Sequence, residues 1–287
     1  MTGGSGATMG MLDGKVAIVT GGTSGIGQRS VELFVEEGAR VHFTGRRRAE
    51  GEAIAARVGP AARFVPADAT SEADWRALIA DVLERHGRLD VLFNNAGGPA
   101  PTGSIESVSV EGFDAAMALL VRSVMLGMKH AAAPMRRQRA GSIINNGSVA
   151  AHQAGYSSSM VYGAAKAAVV HLTRCVAMEL GEHGVRVNSV SPGAIATGIL
   201  PKALGMEAGR ADRLIEPMKQ AFAGAQPIPR PGVPDDIAQC ACWLASDRST
   251  FVNGEDIVID GGLIRGRMFT PHQESLRQMR AKLGMGD

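Results

Sequence analysis

Short apolar, β-branched runs alternate with stretches of helical spacing seven times along this chain of 287 residues, and nothing else in the sequence restricts the fold as tightly. Lys15–Thr20 (KVAIVT) is apolar on successive residues, as suits a strand covered on both faces. Further runs follow at Arg40–Thr44, Arg63–Ala67, Asp90–Phe93, Ser142–Asn146, Val185–Val190 and Asp256–Asp260. Between them lie helical patterns: one carries Val31, Phe34 and Val35 on one side and stops at Gly38, another spans Glu72–His86 and stops at Gly87. A longer helix is predicted over about 110–138, bent near its end by Pro134, and others over about 159–183 and 234–245. Parallel strands need a crossover of this kind. The pattern predicts an α/β chain with a doubly wound, seven-stranded parallel sheet and helices on both faces.

Composition removes several alternatives. Hydrophobic residues make up 45% and charged residues 20%, which fits a globular chain with a full core. A net charge of +2 gives no reason to expect nucleic acid or an acidic membrane as partner, and Arg46–Arg48 and Arg136–Arg139 are short clusters of the kind that form solvated faces. No run of 18 apolar residues is present, so no membrane span is expected. The first eleven residues lack the apolar centre of a signal peptide and read as a flexible Gly-rich tail, 1–11. Cys175, Cys240 and Cys242 fit neither a disulfide framework nor a zinc site and read as reduced, mostly buried thiols, which points to the cytoplasm. The seven histidines are scattered, and no metal site is expected.

The first strand runs straight into Gly21-Gly22-Thr23-Ser24-Gly25-Ile26-Gly27 and then a helix. Strand, glycine turn and helix are the context of a Rossmann-type dinucleotide site: glycines admit a pyrophosphate to the backbone N–H groups, and the helix N-terminus favours its charge. The spacing is Gly-x-x-x-Gly-x-Gly rather than GxGxxG. At the end of the second strand, where a ribose-binding Asp or Glu marks an NAD enzyme, stand Gly45 and Arg46. A glycine leaves room for a 2′-phosphate and an arginine pairs with it, so NADP is favoured over NAD; Arg47 and Arg48 fit a solvated start to the next helix. Asp68, followed by Ala69, either meets the adenine or caps the next helix. Asn94-Asn95-Ala96-Gly97 and Ser191-Pro192-Gly193-Ala194-Ile195-Ala196-Thr197 close two further strands, with Thr197 suited to hold an amide, while Asn94 equally suits a brace between strands.

Ser148 to Lys166 (SVAAHQAGYSSSMVYGAAK) carries the reactive groups. Tyr162 and Lys166 are four apart and share a helix face. A positive charge beside a phenol lowers its pKa and suits it to acid–base work. Ser148 is placed to hydrogen-bond the oxygen that receives the proton. His152, Gln153, Tyr156 and Met160 are expected to line the substrate pocket together with a lid at about 198–231.

Taken in order, TGGTSGIG at 20–27, NNAG at 94–97, Ser148, Tyr162-x-x-x-Lys166 and SPG at 191–193 resemble the short-chain dehydrogenases/reductases over about residues 12–263, a single domain. The resemblance implies that Tyr162 is the acid–base, that Lys166 lowers its pKa and binds the nicotinamide ribose, and that Ser148 polarises a carbonyl or alcohol. It also implies that Gly21, Gly25 and Gly27 hold the diphosphate end, with Thr23, Ser24 and Ile26 beside them, Asp68 the adenine, Asn95 the central ribose region, and Ile195 and Thr197 the nicotinamide. The expected activity is interconversion of a secondary alcohol and a ketone on an apolar or cyclic small molecule with NADP or NAD, in a homodimer or homotetramer joined through its long helices. The basic, amphipathic segment 264–287 packs on a neighbouring subunit or lies loose on the surface. Two positions depart from the family. Leu120 stands where an Asn commonly holds a water that links the lysine to solvent, which leaves open a catalytically weak or inactive cofactor-binding protein with a regulatory or assembly role. Gly147, before Ser148, is expected to enlarge the pocket.

Overall fold

The computed structural model describes residues 9–199, 201, 206 and 212–285. Seven parallel strands form one sheet in the order β3-β2-β1-β4-β5-β6-β7. They are β1 Val16–Val19, β2 Arg40–Gly45, β3 Ala62–Pro66, β4 Val91–Asn94, β5 Gly141–Asn146, β6 Val185–Pro192 and β7 Asp256–Ile259. The helices are α1 Gly25–Glu36, α2 Arg48–Val58, α3 Glu72–His86, α4 Val110–Met117, α5 Ser123–Gln138, α6 Met160–Gly181, α7 Ile215–Phe222, α8 Pro234–Ala245 and α9 Phe269–Lys282. The order reverses between β1 and β4, the switch point where an open α/β sheet leaves a crevice at its strand C-termini.

Alternation along each strand divides the core in two. Ala17 and Val19 of β1 join Phe34, Phe43, Phe93 and Ile237 under α1 and α8. Val16 and Ile18 join Trp75, Leu78, Leu92, Met135 and Val187 under α3, α5 and α6. This two-sided burial explains why the central strands β1 and β4 read as unbroken apolar runs.

Local chemistry fixes the helix ends. Ser71 caps α3 by accepting a hydrogen bond from Asp74 N at 3.2 Å, and Gly87 closes it with φ +69°. Pro234 opens α8, and the Asp236 carboxylate accepts from Val233 N at 2.8 Å. The helix expected over 110–138 is instead divided: a π-helical segment, Ala118–Arg122, separates α4 from α5, while Pro134 stays inside α5 and buried. The wide turn frees a carbonyl, and the Ser123 hydroxyl donates to Leu119 O at 2.5 Å. A proline is visible in a sequence; a π turn satisfied by a serine is not.

Residues 1–8 of the expected tail lie outside the described residues, but its end is held. Met11 N donates to Glu37 Oε2 at 2.7 Å, Leu12 N donates to Glu37 O at 2.9 Å, and Leu12 is fully buried. Part of the expected lid (200, 202–205 and 207–211) also lies outside the described residues; its described part includes α7. Helix α9 has no buried residue. Among the described residues no helix is long and apolar enough to cross a membrane.

Candidate active site

The glycine turn between β1 and α1 is where the backbone must come closest to itself. Gly21 (φ +66°) and Gly25 (φ +55°) sit in the left-handed region. A Cβ on Gly27 would overlap the Gly21 carbonyl oxygen and Asn95 Nδ2. The loop is braced from β4: Asn95 Nδ2 donates to Thr20 O at 2.9 Å and Gly21 O at 3.3 Å, and Thr20 Oγ1 accepts from Asn95 N and Ala96 N at 3.0 and 2.9 Å. Asn95, expected at the central ribose region, lines the cleft and turns its side-chain NH₂ to the glycine turn. Asn94 is a brace as well, donating to Asn145 Oδ1 at 2.9 Å, while Asn145 donates to Thr173 Oγ1 of α6 at 2.9 Å.

A cleft of ≈ 400 Å³ runs along the strand C-termini. One end is lined by Gly45, Arg46, Asp68 and Ala69, the middle by Gly21, Thr23, Ser24, Gly25, Ile26 and Gly27 with Asn95, Ala96 and Gly97, and the far end by Ser148, Tyr162, Lys166, Pro192, Gly193, Ile195 and Thr197. Every residue expected to bind cofactor lines it. Its length, the glycine cradle at its centre and the N-terminus of α1, with no acid in the first turn, fit a dinucleotide diphosphate.

At the end lined by Gly45 and Arg46, Asp68 does not cap α3; that is Ser71. Asp68 Oδ1 instead accepts from Thr70 N and Thr70 Oγ1, both at 2.8 Å, and these hydrogen bonds, with the charge of Arg46, hold its carboxyl below the usual range against the effect of burial. The sequence reading missed Arg47, which also lines the cleft and donates to Thr23 O at 3.0 Å and Thr23 Oγ1 at 3.3 Å. Two arginines, not one, stand at this end. Their signal was present as a run of three cations, but which of them faces inward depends on Thr23, 24 residues away.

At the reactive end, Ser148 follows β5 and its Oγ accepts from Ala150 N at 3.2 Å. Ser159 caps α6 by accepting from Tyr162 N at 3.2 Å and is itself fixed to Pro101 O at 2.5 Å. Tyr162 thus stands in the first turn of α6, where the helix dipole favours negative charge. Burial raises its pKa nevertheless, with a hydrogen bond from Ser148 pulling the other way. This reverses the expected direction. The ammonium of Lys166, 5.6 Å from the phenol ring centre, is held by Asn146 O at 2.6 Å, and burial pushes its own pKa down to about 8. Leu120 is fully buried and lines the cleft with Leu119, so the wall that would carry an amide is apolar. Gly147 does not enlarge the pocket: a Cβ there would lie 2.5 Å from Ser191 Oγ and 3.2 Å from Val190 O, so the glycine admits the neighbouring strand.

A second cavity of ≈ 390 Å³ opens beside the first. Pro99, Ala100, Val149, Tyr156, Ile195, Ile199, Phe222 and Leu263 line it, and Ser148 and Tyr162 border both cavities. Of the expected substrate residues only Tyr156 is in this lining, its hydroxyl donating to Leu263 O at 3.2 Å. His152 is turned to Asp256, with Nε2 2.6 Å from Oδ2, a carboxylate that also accepts from Ser189 and Ser191. Gln153 is exposed and Met160 is 47% exposed on α6. Ile199 and Phe222 come from the segment 198–231 expected to cover the pocket, whereas Leu263, from the segment after β7, carries no motif and was not foreseen. Among the described residues no cluster of His, Cys, Asp or Glu could hold a metal.

The sheet, the glycine cradle and the Ser148–Tyr162–Lys166 cluster define a short-chain dehydrogenase/reductase. A family model described as enoyl-(acyl carrier protein) reductase matches residues 21–264, and the chain belongs to the short-chain dehydrogenase/reductase family. It is similar to sex determination protein tasselseed-2 of Zea mays, 40% identical over 280 residues that cover 89% of this chain and 83% of that protein. Momilactone A synthase of Oryza sativa subsp. japonica is 40% identical over 258 residues, covering 88% and 90%. A 2,5-dichloro-2,5-cyclohexadiene-1,4-diol dehydrogenase of Sphingobium indicum is 40% identical over 252 residues, covering 88% and 97%. The family fixes the coarse chemistry: NAD(P)(H)-dependent oxidoreduction of small molecules.

Proposed function

We propose that the chain interconverts a secondary alcohol and a ketone on an apolar, cyclic small molecule, with NADP favoured as cofactor. The observation that carries this reading is the seam: Ser148 and Tyr162 border both the dinucleotide cleft and the apolar cavity. Bound NAD(P)(H) supplies the hydride chemistry. The residues of the chain do the rest. Ser148 holds the substrate oxygen, Tyr162 gives it a proton in reduction or takes one in oxidation, and Lys166 keeps that proton exchangeable near neutral pH. Gly45 with Arg46, joined by Arg47, receives the 2′-phosphate. The cavity walls are largely aliphatic and aromatic, with Ser148 and Ser157–Ser159 as hydroxyl-bearing residues and no charged side chain among them. The Sphingobium relative is named for a cyclic diol, which supports a ring-bearing substrate.

The test is a pair of titrations, NADPH and NADH, followed by nicotinamide fluorescence, and then turnover on a panel of cyclic secondary alcohols and ketones. NADPH binding at least tenfold tighter, lost in Arg46→Ala, supports the 2′-phosphate site; tighter NADH binding overturns it. Cofactor binding without turnover on any substrate would favour the non-catalytic reading that Leu120 supports.

A further inference from the structure

Asn146, the last residue of β5, holds two partners in the site and leaves a third position open. Its main-chain oxygen accepts from Lys166 Nζ at 2.6 Å, and its Nδ2 donates to Asn95 Oδ1 at 3.1 Å. Its Oδ1 is buried and has no hydrogen-bond partner. The neighbours fix which way the amide points. Asn95 Nδ2 is committed to the carbonyls of Thr20 and Gly21, so the atom Asn95 turns toward Asn146 is its acceptor. The group facing it is therefore the NH₂ of Asn146, and Oδ1 is turned away from Asn95.

Buried acceptors are rarely left unpaired, and those that are call for a reason. Asn146 lines the same cleft as Lys166 and Tyr162. Leu120 and Leu119, also in that lining, offer no side-chain hydrogen bond. The NH₂ of the amide serves Asn95, but nothing in the packing uses its Oδ1, and a shorter residue would keep the main-chain bond to Lys166.

We propose that Asn146 is a cofactor-contacting residue. Its Oδ1 accepts a hydrogen bond from a hydroxyl of the nicotinamide ribose, while its main-chain oxygen fixes the Lys166 ammonium beside the same sugar. The proposal rests on the NAD(P)(H) site described above. It assigns to one residue both the placement of the lysine and the capture of the sugar.

The full chain and Asn146→Ala are titrated with NADPH and NADH by nicotinamide fluorescence, and with 5′-AMP, which has no nicotinamide ribose, by calorimetry. The expected result is dinucleotide binding about tenfold weaker in the variant, the loss of one hydrogen bond to a buried acceptor, with 5′-AMP affinity within about twofold of wild type. Unchanged dinucleotide affinity overturns the proposal. So does a parallel loss of dinucleotide and 5′-AMP, because that is what loosening Asn95 and the glycine turn would produce. Where Asn146→Ala does not fold, as read by circular dichroism, Asn146→Ser is measured in its place with the same outcomes. A wild-type chain that binds neither dinucleotide refutes the functional reading itself and takes the proposal with it.

Discussion

Lys166 is the buried charge of the site, and replacing it with methionine exposes what the native state gives up to keep it there. The residue is 3% exposed, and burial moves its pKa from 10.5 to about 8. At 1.36 kcal/mol for each tenfold change, that difference is about 3 kcal/mol. The sign follows from proton counts. Below pH 8 the lysine is protonated folded and unfolded, so the cost is present in full. Between about 8 and 10.5 the unfolded chain binds the extra proton, so the wild type gains stability as pH rises. Lys166→Met has no such titration, and the pH dependence of groups that do not interact with Lys166 cancels in the difference between the two proteins. Urea denaturation of both at pH 7 and pH 10 should therefore show the wild type gaining about 2–3 kcal/mol on the variant. The lost hydrogen bond to Asn146 O lowers the variant across the range without altering the trend. A difference that stays constant from pH 7 to pH 10 would mean an ordinary lysine, and would remove the argument that Lys166 is the site's proton reservoir.

Three other changes probe the site and its frame. Tyr162→Phe should lower turnover about 10²- to 10⁴-fold, the usual worth of a general acid–base, while dinucleotide affinity measured by fluorescence stays within about twofold. Gly27→Ala forces a methyl group into the Gly21 carbonyl and Asn95; a loss of about 1–3 kcal/mol in urea denaturation, together with loss of cofactor binding, is expected, and a variant that binds normally would refute the close approach. His42 is 2% exposed with its pKa lowered to about 4 by burial and by His86, whose Nε2 lies 2.9 Å away. The unfolded chain takes up that proton first, so stability should fall by about 2 kcal/mol from pH 7 to pH 5, and His42→Phe should remove most of that fall relative to wild type in thermal unfolding.

The readings that survived contact with the structure are local ones. A strand buried on both faces declares itself residue by residue, as Val16–Val19 does, and Ser71 and Gly87 mark the ends of α3 within their own turns. Tyr162 and Lys166 are brought together by one helix and Ser148 by the strand before it, so the reactive cluster is also nearly a local property. The readings that changed concern residues whose chemistry is already taken by a partner far along the chain. His152 has the right position and the right ring for a substrate contact, but Asp256, 104 residues on, holds it. Asn95 lines the cleft, but its side-chain NH₂ is turned to Thr20, 75 residues back. Tyr156 does reach the cavity, and its hydroxyl meets Leu263, 107 residues away. A motif names residues able to do the chemistry; the sheet order, which brings the C-terminal ends of β1, β4, β5 and β6 to the cleft, decides which of them are still free to do it. The same reasoning singles out Asn146. It is unremarked by any motif, yet its neighbours are committed in a way that leaves one buried acceptor open beside the lysine.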